Sequence, residues 1–299
     1  MGGAPRTPGC DVSYQTRSME AKRRIGIVGF GHVGHFLAQK ILEEGEKCGL
    51  ELAFVWNRTM KKMDGVIDPR LQLHQLSQFQ TRQADLIVEV AHPDITRDYG
   101  EHFLSAANVM IGSPTVLSDP DIERRLRETA TTSGHTLYIP SGALWGGEDI
   151  QRMADRGTLK GLRITMTKHP DSLHLKGELA QKNRAVDGRT ILYEGPVRGL
   201  CPVAPNNVNT MAAACMAAHT LGFDGVIGVL VADPRIPDWH FVDIEVTGTR
   251  NKETGQVFSV TTKRCNPAGV GQVTGSATFL SFWSSLLGCT GHGGRVYLC

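Results

Sequence analysis

Gly29-Phe30-Gly31-His32-Val33-Gly34 follows the apolar run Ile25-Gly26-Ile27-Val28 and opens a helix-like stretch from His35 to Glu44. A strand, a tight glycine turn and a helix form the mononucleotide-binding half of a dinucleotide fold. The first glycine permits the turn, the second lets the backbone approach a pyrophosphate, and the third packs the helix closely on the strand. The helix N-terminus then offers free N–H groups and positive dipole to the phosphates. Glycines also mark ordinary turns, but here a strand precedes and a helix follows, which selects the dinucleotide reading. Gly29, Gly31, His32, Val33 and Gly34 are therefore the candidate cofactor loop.

The end of the second strand bears on which dinucleotide fits. In NAD-selective domains a carboxylate about 20 residues past the loop binds the adenosine ribose diol and repels a 2′-phosphate. Here the strand Leu52–Trp56 ends in Asn57-Arg58, with no carboxylate at its tip. Asn57 can hydrogen-bond a ribose hydroxyl, and Arg58 can meet a phosphate with its fork of donors. The expected cofactor is NAD or NADP, with NADP accepted at least as well as NAD. In the plainer alternative both are loop residues and a carboxylate such as Asp64 takes their place.

Alternation of strands and helices continues outward. Ala84–Ala91 is an apolar run suited to a parallel strand buried on both faces. Pro93 suits the first turn of a helix reaching Ala107. Asn108–Gly112 reads as a strand, Asp119–Thr132 as a helix stopped by Gly134, and His135–Pro140 as a further strand. This pattern predicts an α/β fold with a Rossmann-type, doubly wound parallel sheet. After Ser141 the pattern changes. Lys160–Lys168, Val226–Ala232, Phe241–Gly248 and Val257–Arg264 read as strands with polar alternation, suited to a mixed or antiparallel sheet covered on one face. Asn209–Leu221 reads as a close-packed helix on that face, and Gln181–Arg189 as a polar surface loop. The expected organisation is an extension over residues 1–22 and a dinucleotide domain over 23–140, completed by 267–299. A second α/β domain for substrate and dimerisation covers 141–266.

Composition excludes several classes. Basic and acidic residues number 32 and 30, with no basic stripe, so nucleic acid is not an expected partner. The seven cysteines are scattered without a C-x-x-C pair, which argues for reduced thiols and no metal site. No apolar run reaches the ~18 residues of a membrane span, and the first 22 residues lack the apolar core of a secretory signal. The expected address is cytoplasmic.

Beyond the glycine loop, several segments resemble the L-aspartate dehydrogenase family, from about Arg23 to about Val273. They are Val88-Glu89-Val90-Ala91-His92-Pro93, Pro140-Ser141-Gly142-Ala143 with Gly146-Gly147-Glu148-Asp149, Lys168-His169-Pro170, Pro205-Asn206-Asn207-Val208-Asn209, and Ala232-Asp233-Pro234 followed by His240. The resemblance implies NAD(P)-dependent oxidative deamination of L-aspartate, a dicarboxylic amino acid, to iminoaspartate and then oxaloacetate and ammonia. It also implies a homodimer and a closing helix that packs back on the Rossmann domain. Thr274–Leu287 could form that helix, although Gly288–Gly294 interrupts the run. Homoserine dehydrogenase-type or dihydrodipicolinate reductase-type chemistry on the same fold is the alternative, as is a non-catalytic dinucleotide-binding regulator.

Individual residues take their expected roles from both sources. By resemblance His240 matches the catalytic histidine, and a side chain with a pKa near 6.5 suits proton transfer near neutrality. By itself it is one of 11 histidines, placed at a strand edge. Lys168 can bind a substrate carboxylate or be a solvated lysine at a strand end. Asn207 and Ala143 match positions at the nicotinamide end of the cofactor; otherwise Asn207 is a helix cap, a role Asn209 also fits. Ala91 ends a strand where the cofactor crosses the sheet, and the neighbouring His92 lines the site or ends the strand. Asp233 orients a histidine or starts a turn.

Overall fold

The computed structural model describes residues 21–269 and 271–299. Most of the expected N-terminal extension lies outside them. The chain begins with β1 (Arg23–Val28), α1 (His32–Cys48) and β2 (Leu50–Trp56), then β3 (Leu86–Glu89), α2 (Pro93–Ala106), β4 (Asn108–Ile111), α3 (Pro120–Ser133) and β5 (Leu137–Ile139). Local chemistry sets these boundaries. Asp119 caps α3 by accepting from the N–H groups of Asp121 and Ile122, Pro120 occupies its first turn, and Gly134 ends it at φ 75°. The expected strand over 84–91 is shorter, Leu86–Glu89; Val90 N–H still donates to Val28 O at 2.9 Å, and α2 begins at Pro93.

The second domain starts with α4 (Gly147–Asp155), β6 (Gly161–Lys168), α5 (Gly177–Arg184) and β7 (Thr190–Pro196). Next come the one-turn helix α6 (Val197–Leu200), α7 (Asn209–Ala217) and the one-turn α8 (Gly222–Gly225). The domain closes with β8 (Ile227–Ala232), β9 (Trp239–Arg250) and β10 (Val257–Pro267). Its sheet runs β10-β9-β6-β8-β7 and is mixed: β6 and β8 are parallel, the other pairs antiparallel.

Four expectations change here. Gln181–Arg184 is the end of α5, not loop. The unexpected β7 follows at once, with Gly195-Pro196 tolerated because it is an edge strand. β8 does not alternate; it is buried throughout because it lies inside the sheet, between β6 and β7. Finally, α7 stops at Ala217 and is buried all round, and its N-cap is Val208 rather than an Asn side chain. It packs on α4 and on the 3-10 turn Pro114–Ser118 of the first domain, so one apolar core runs through both domains.

The chain then returns. α9 (Ser276–Gly288) lies on α1, with the Phe36 and Phe279 rings 5.6 Å apart. Arg23 caps its last turn by donating to the main-chain oxygens of Leu286 and Cys289. After the glycine-rich break, β11 (Val296–Leu298) pairs in parallel with β5 and completes a six-stranded sheet, β11-β5-β4-β3-β1-β2. Packing of the closing helix is thus intact despite Gly288–Gly294.

Candidate active site

In the first sheet β1 lies between β2 and β3, so strand order reverses there. Ligands of open α/β sheets bind at such a switch point, beyond the carboxyl ends of the strands. A cavity of about 300 Å³ opens at that place, between the two domains. Val33, Val90, Ala91, Gly112 and Ser113 line it from the first domain, Ser141–Ala143 from the segment between β5 and α4, and Lys168, His174, Asn207, Asn209, His240 and Asn266 from the second domain.

The three glycines of the loop divide by task. Gly29 holds φ +111°, and a Cβ there would lie 2.8 Å from the main chain of Val90 and Ala91. A Cβ at Gly34 would overlap the main-chain oxygen of Gly29. Both are glycine for the protein's own packing. At Gly31 a Cβ would meet nothing within 4 Å, so the protein itself leaves room for a side chain there. Gly31 caps α1 without a side-chain hydrogen bond, and the helix has no acidic residue in its first turn. Its N–H groups are free for an anion. A dinucleotide pyrophosphate fits these residues.

Asn57 reinforces the same loop: its Oδ1 accepts from the N–H of Phe30 at 3.1 Å, and its Nδ2 donates to the main-chain oxygen of Thr59 at 2.8 Å. Arg58 is exposed and makes no ion pair among the described residues. His32 is exposed on the first turn of α1. His92 lies three residues beyond the end of β3 and caps α2, its Nδ1 accepting from Asp94 N–H at 3.3 Å.

Glu89, at the end of β3, is fully buried. Its Oε1 accepts from Ala91 N–H at 2.7 Å and Ser113 Oγ at 3.2 Å, and its Oε2 from Thr96 Oγ1 at 3.3 Å. Burial pushes its carboxyl up to about 7, against the pull of these donors. It is a positioning residue that fixes two lining residues, Ala91 and Ser113. The sequence signal was a lone acid inside an apolar run, which must find partners if buried.

The other end of the cavity is built from ionisable side chains. Lys168 ends β6 and is only 4% exposed, so it is not a solvated strand-end lysine. Its Nζ donates to the main-chain oxygen of Val273 at 2.8 Å, its one hydrogen bond among the described residues. An ammonium has three donors, so two remain for a ligand. Burial pulls its pKa down to about 8. His240 lies near the start of β9, 5% exposed, and its Nε2 is buried without a partner. Burial and then the Lys168 charge pull its pKa down to about 4, partly offset by the main chain of Gln272. The imidazole is therefore neutral at physiological pH. Asn266 donates to the His240 main-chain oxygen at 3.2 Å and backs the strand.

Three further polar residues sort by their partners. Asp233 serves its turn: it accepts from the Arg235 N–H and guanidinium, and the ion pair holds its carboxyl below the usual range. Asn207 spends Oδ1 on His174 N–H at 2.8 Å and Nδ2 on Ser172 O at 2.9 Å. It lines the cavity while pinning the loop that carries His174. Asn209 does not cap; its buried Oδ1 has no partner.

Comparison with known proteins agrees with this layout. Residues 149–285 match the family profile "Aspartate dehydrogenase, C-terminal", and residues 29–140 match "Homoserine dehydrogenase, NAD binding domain". An aspartate dehydrogenase domain-containing protein of Xenopus tropicalis is 68% identical over 94% of this chain and 100% of its own. The L-aspartate dehydrogenase of Methanopyrus kandleri is 28% identical over 75% of this chain and 82% of its own. The crystal structure of an aspartate dehydrogenase from Thermotoga maritima shares the fold, with a TM-score of 0.65 at 20% identity over 90% of this chain and 97% of that one.

Proposed function

Because the chain belongs to the aspartate dehydrogenase family, we propose that it oxidises L-aspartate to iminoaspartate, which water converts to oxaloacetate and ammonia. The observation that carries this reading is the pairing of a buried cation with a neutral imidazole whose Nε2 has no partner among the described residues, both lining one cleft. Bound nicotinamide supplies the hydride acceptor, and Gly31, the α1 N-terminus, Ala91 and Ala143 would hold the dinucleotide, beside a wall that Asn207 braces.

Lys168 has donors to spare and draws a substrate carboxylate to the closed end. His240 Nε2 takes the amine proton as the carbon–nitrogen bond gains double-bond character. Before substrate enters, its low pKa makes it a weak base. A dicarboxylate beside it favours the imidazolium and partly neutralises Lys168, so substrate itself raises the basicity of His240. Both side chains are buried, which strengthens each of these charge interactions relative to water.

The test is an absorbance assay at the nicotinamide band over a panel of L-amino acids, with NAD and NADP, on wild type and His240→Ala. Aspartate should be the preferred substrate, and His240→Ala should lower turnover by about 10²–10⁴-fold with cofactor affinity unchanged. Preference for another amino acid overturns the substrate. Tight cofactor binding with no turnover of any of them supports a dinucleotide-binding regulator instead.

A further inference from the structure

Two thiols meet behind the wall of the cleft. Cys289 follows α9 and is 2% exposed; Cys299 follows β11 and is half-buried. Their Sγ atoms are 3.9 Å apart. The main chain of Cys299 is also a clasp. Its N–H donates to Ile139 O at 2.9 Å, and its main-chain oxygen accepts from Ser141 N–H at 2.7 Å, Ser141 Oγ at 2.9 Å and Ser285 Oγ at 2.8 Å. Ser141 begins the Ser141–Ala143 segment that lines the cavity.

We propose that Cys289 and Cys299 form a modification site, an oxidisable pair that peroxide-class oxidants close to a disulfide, loosening the Ser141–Ala143 wall of the dinucleotide cleft. This coupling rests on the cleft being the dinucleotide site.

The two cysteines have different parts. Cys299 is reachable from solvent. Its sulfur attacks a peroxide oxygen, the O–O bond breaks, and a sulfenic acid and one water result. Cys289 then attacks that sulfur, an S–S bond forms, and the S–OH bond breaks. The hydroxide leaves as water with the Cys289 proton. One peroxide is reduced to two waters while two thiols lose two electrons. Burial, and then the contact with the Cys299 sulfur, push the Cys289 thiol far up, so it stays protonated and inert to dissolved oxidants. The sulfur in contact with it is the one electrophile it can meet. The Arg23 guanidinium, bound to the Cys289 main-chain oxygen, eases loss of its proton.

Closure must bring the sulfurs from 3.9 Å to about 2.05 Å. α9 is held by Arg23 and α1, whereas β11 is a three-residue edge strand paired only with β5. The strand therefore gives way, and its oxygen moves off Ser141. The wall of the cleft loses an anchor.

The experiment treats the full chain with hydrogen peroxide, alkylates the remaining free thiols and digests it without reductant. A linked peptide pair carrying Cys289 and Cys299 is expected, two hydrogens lighter than the separate peptides, reversed by dithiothreitol and absent from Cys299→Ser and Cys289→Ala. Dinucleotide titrated by fluorescence should bind the oxidised wild type about two- to tenfold more weakly, the equivalent of one lost hydrogen bond. The dinucleotide affinity of Cys299→Ser should be unaffected by the oxidant, while Cys289→Ala should gain oxygen at Cys299 without forming a link. Further oxidation of Cys299 with Cys289 still open to alkylation overturns the pair; a linked protein that binds as tightly as the reduced one overturns the coupling to the cleft. Failure of the cleft assignment itself would show earlier, as a reduced protein that binds no dinucleotide.

Discussion

The two ends of the cleft are built by opposite means. The glycine end is made of backbone: a strand tip, a turn and the free N–H groups of a helix, within six consecutive residues. The Lys168–His240 end is made of side chains delivered by β6 and β9 and closed over by the segment that leads into α9. That segment supplies Val273 O to Lys168 and places Gly275 so that a Cβ there would lie 3.9 Å from His240 Nδ1. One end works by leaving atoms out. The other works by burying charge-bearing groups that stay partly unsatisfied, which costs stability and stores reactivity.

Substitutions within the glycine end give the largest expected effects and can break this contrast. Gly34→Ala sets a Cβ on the main-chain oxygen of Gly29. The overpacked strand–helix contact should cost about 3 kcal/mol or more, read as a lowered unfolding midpoint in denaturant. Gly31→Val should unfold like wild type, because the protein leaves that space open, yet bind dinucleotide at least about tenfold more weakly by calorimetry. Equal stability loss in both variants would mean the loop is a structural turn only. Unchanged affinity in a folded Gly31→Val protein would remove the loop from the cofactor site.

The same contrast explains what could be read from sequence. The glycine loop, the parallel strands and α1–α3 are set by neighbours in the chain, so period, caps and turn residues exposed them. β7 and β11 were missed because an edge strand with Gly195-Pro196 and a three-residue strand after a glycine run carry no periodic signal. At the site, the positions of His240 and Lys168 were readable only through their motifs. Their burial and their shared closing segment depend on residues about a hundred positions apart in the Lys168–Val273 contact and could not be local signals. Asn207 shows the limit from the other side: its residue type suggested a ligand contact, while both ends of its amide are bonded to main chain.

Lys168 sharpens the comparison through pH. Its pKa falls from 10.5 to about 8 on folding. The unfolded chain therefore binds more protons between those values, and wild-type stability gains from this group as pH rises through that window; the cost is fully present below about 8. Lys168→Met removes the buried charge, so it should be at least as stable as wild type at neutral pH and lose that rise. The substrate effect runs the other way. In wild type, kcat/KM for a dicarboxylate should fall as pH rises past about 8 and the ammonium is lost, and in Lys168→Met KM should be high at every pH. Thermal midpoints and initial rates across the window measure both. A parallel pH dependence in the two proteins would take Lys168 out of substrate binding.

Arg58 carries the smallest expected effect and tests the outer limit of the glycine end. β2 ends at Trp56, and the side chain after it, Asn57, is occupied with the Phe30 N–H and the Thr59 main-chain oxygen. That leaves Arg58, exposed and without an ion pair among the described residues, as the group at the strand tip able to meet a ribose phosphate. A guanidinium there attracts a 2′-phosphate, and at the tip itself there is no carboxylate to repel one. NADP should therefore bind at least as well as NAD. Because the pair forms in solvent, its worth is modest: Arg58→Ala should weaken NADP by about three- to tenfold and leave NAD nearly unchanged. The loss should shrink as salt is raised, since exposed charges are screened. Affinities of both cofactors for wild type and Arg58→Ala, at low and high salt, decide the matter. A strong NAD preference that the substitution does not alter would mean the ribose is read elsewhere, with Asp64 the next side chain to replace.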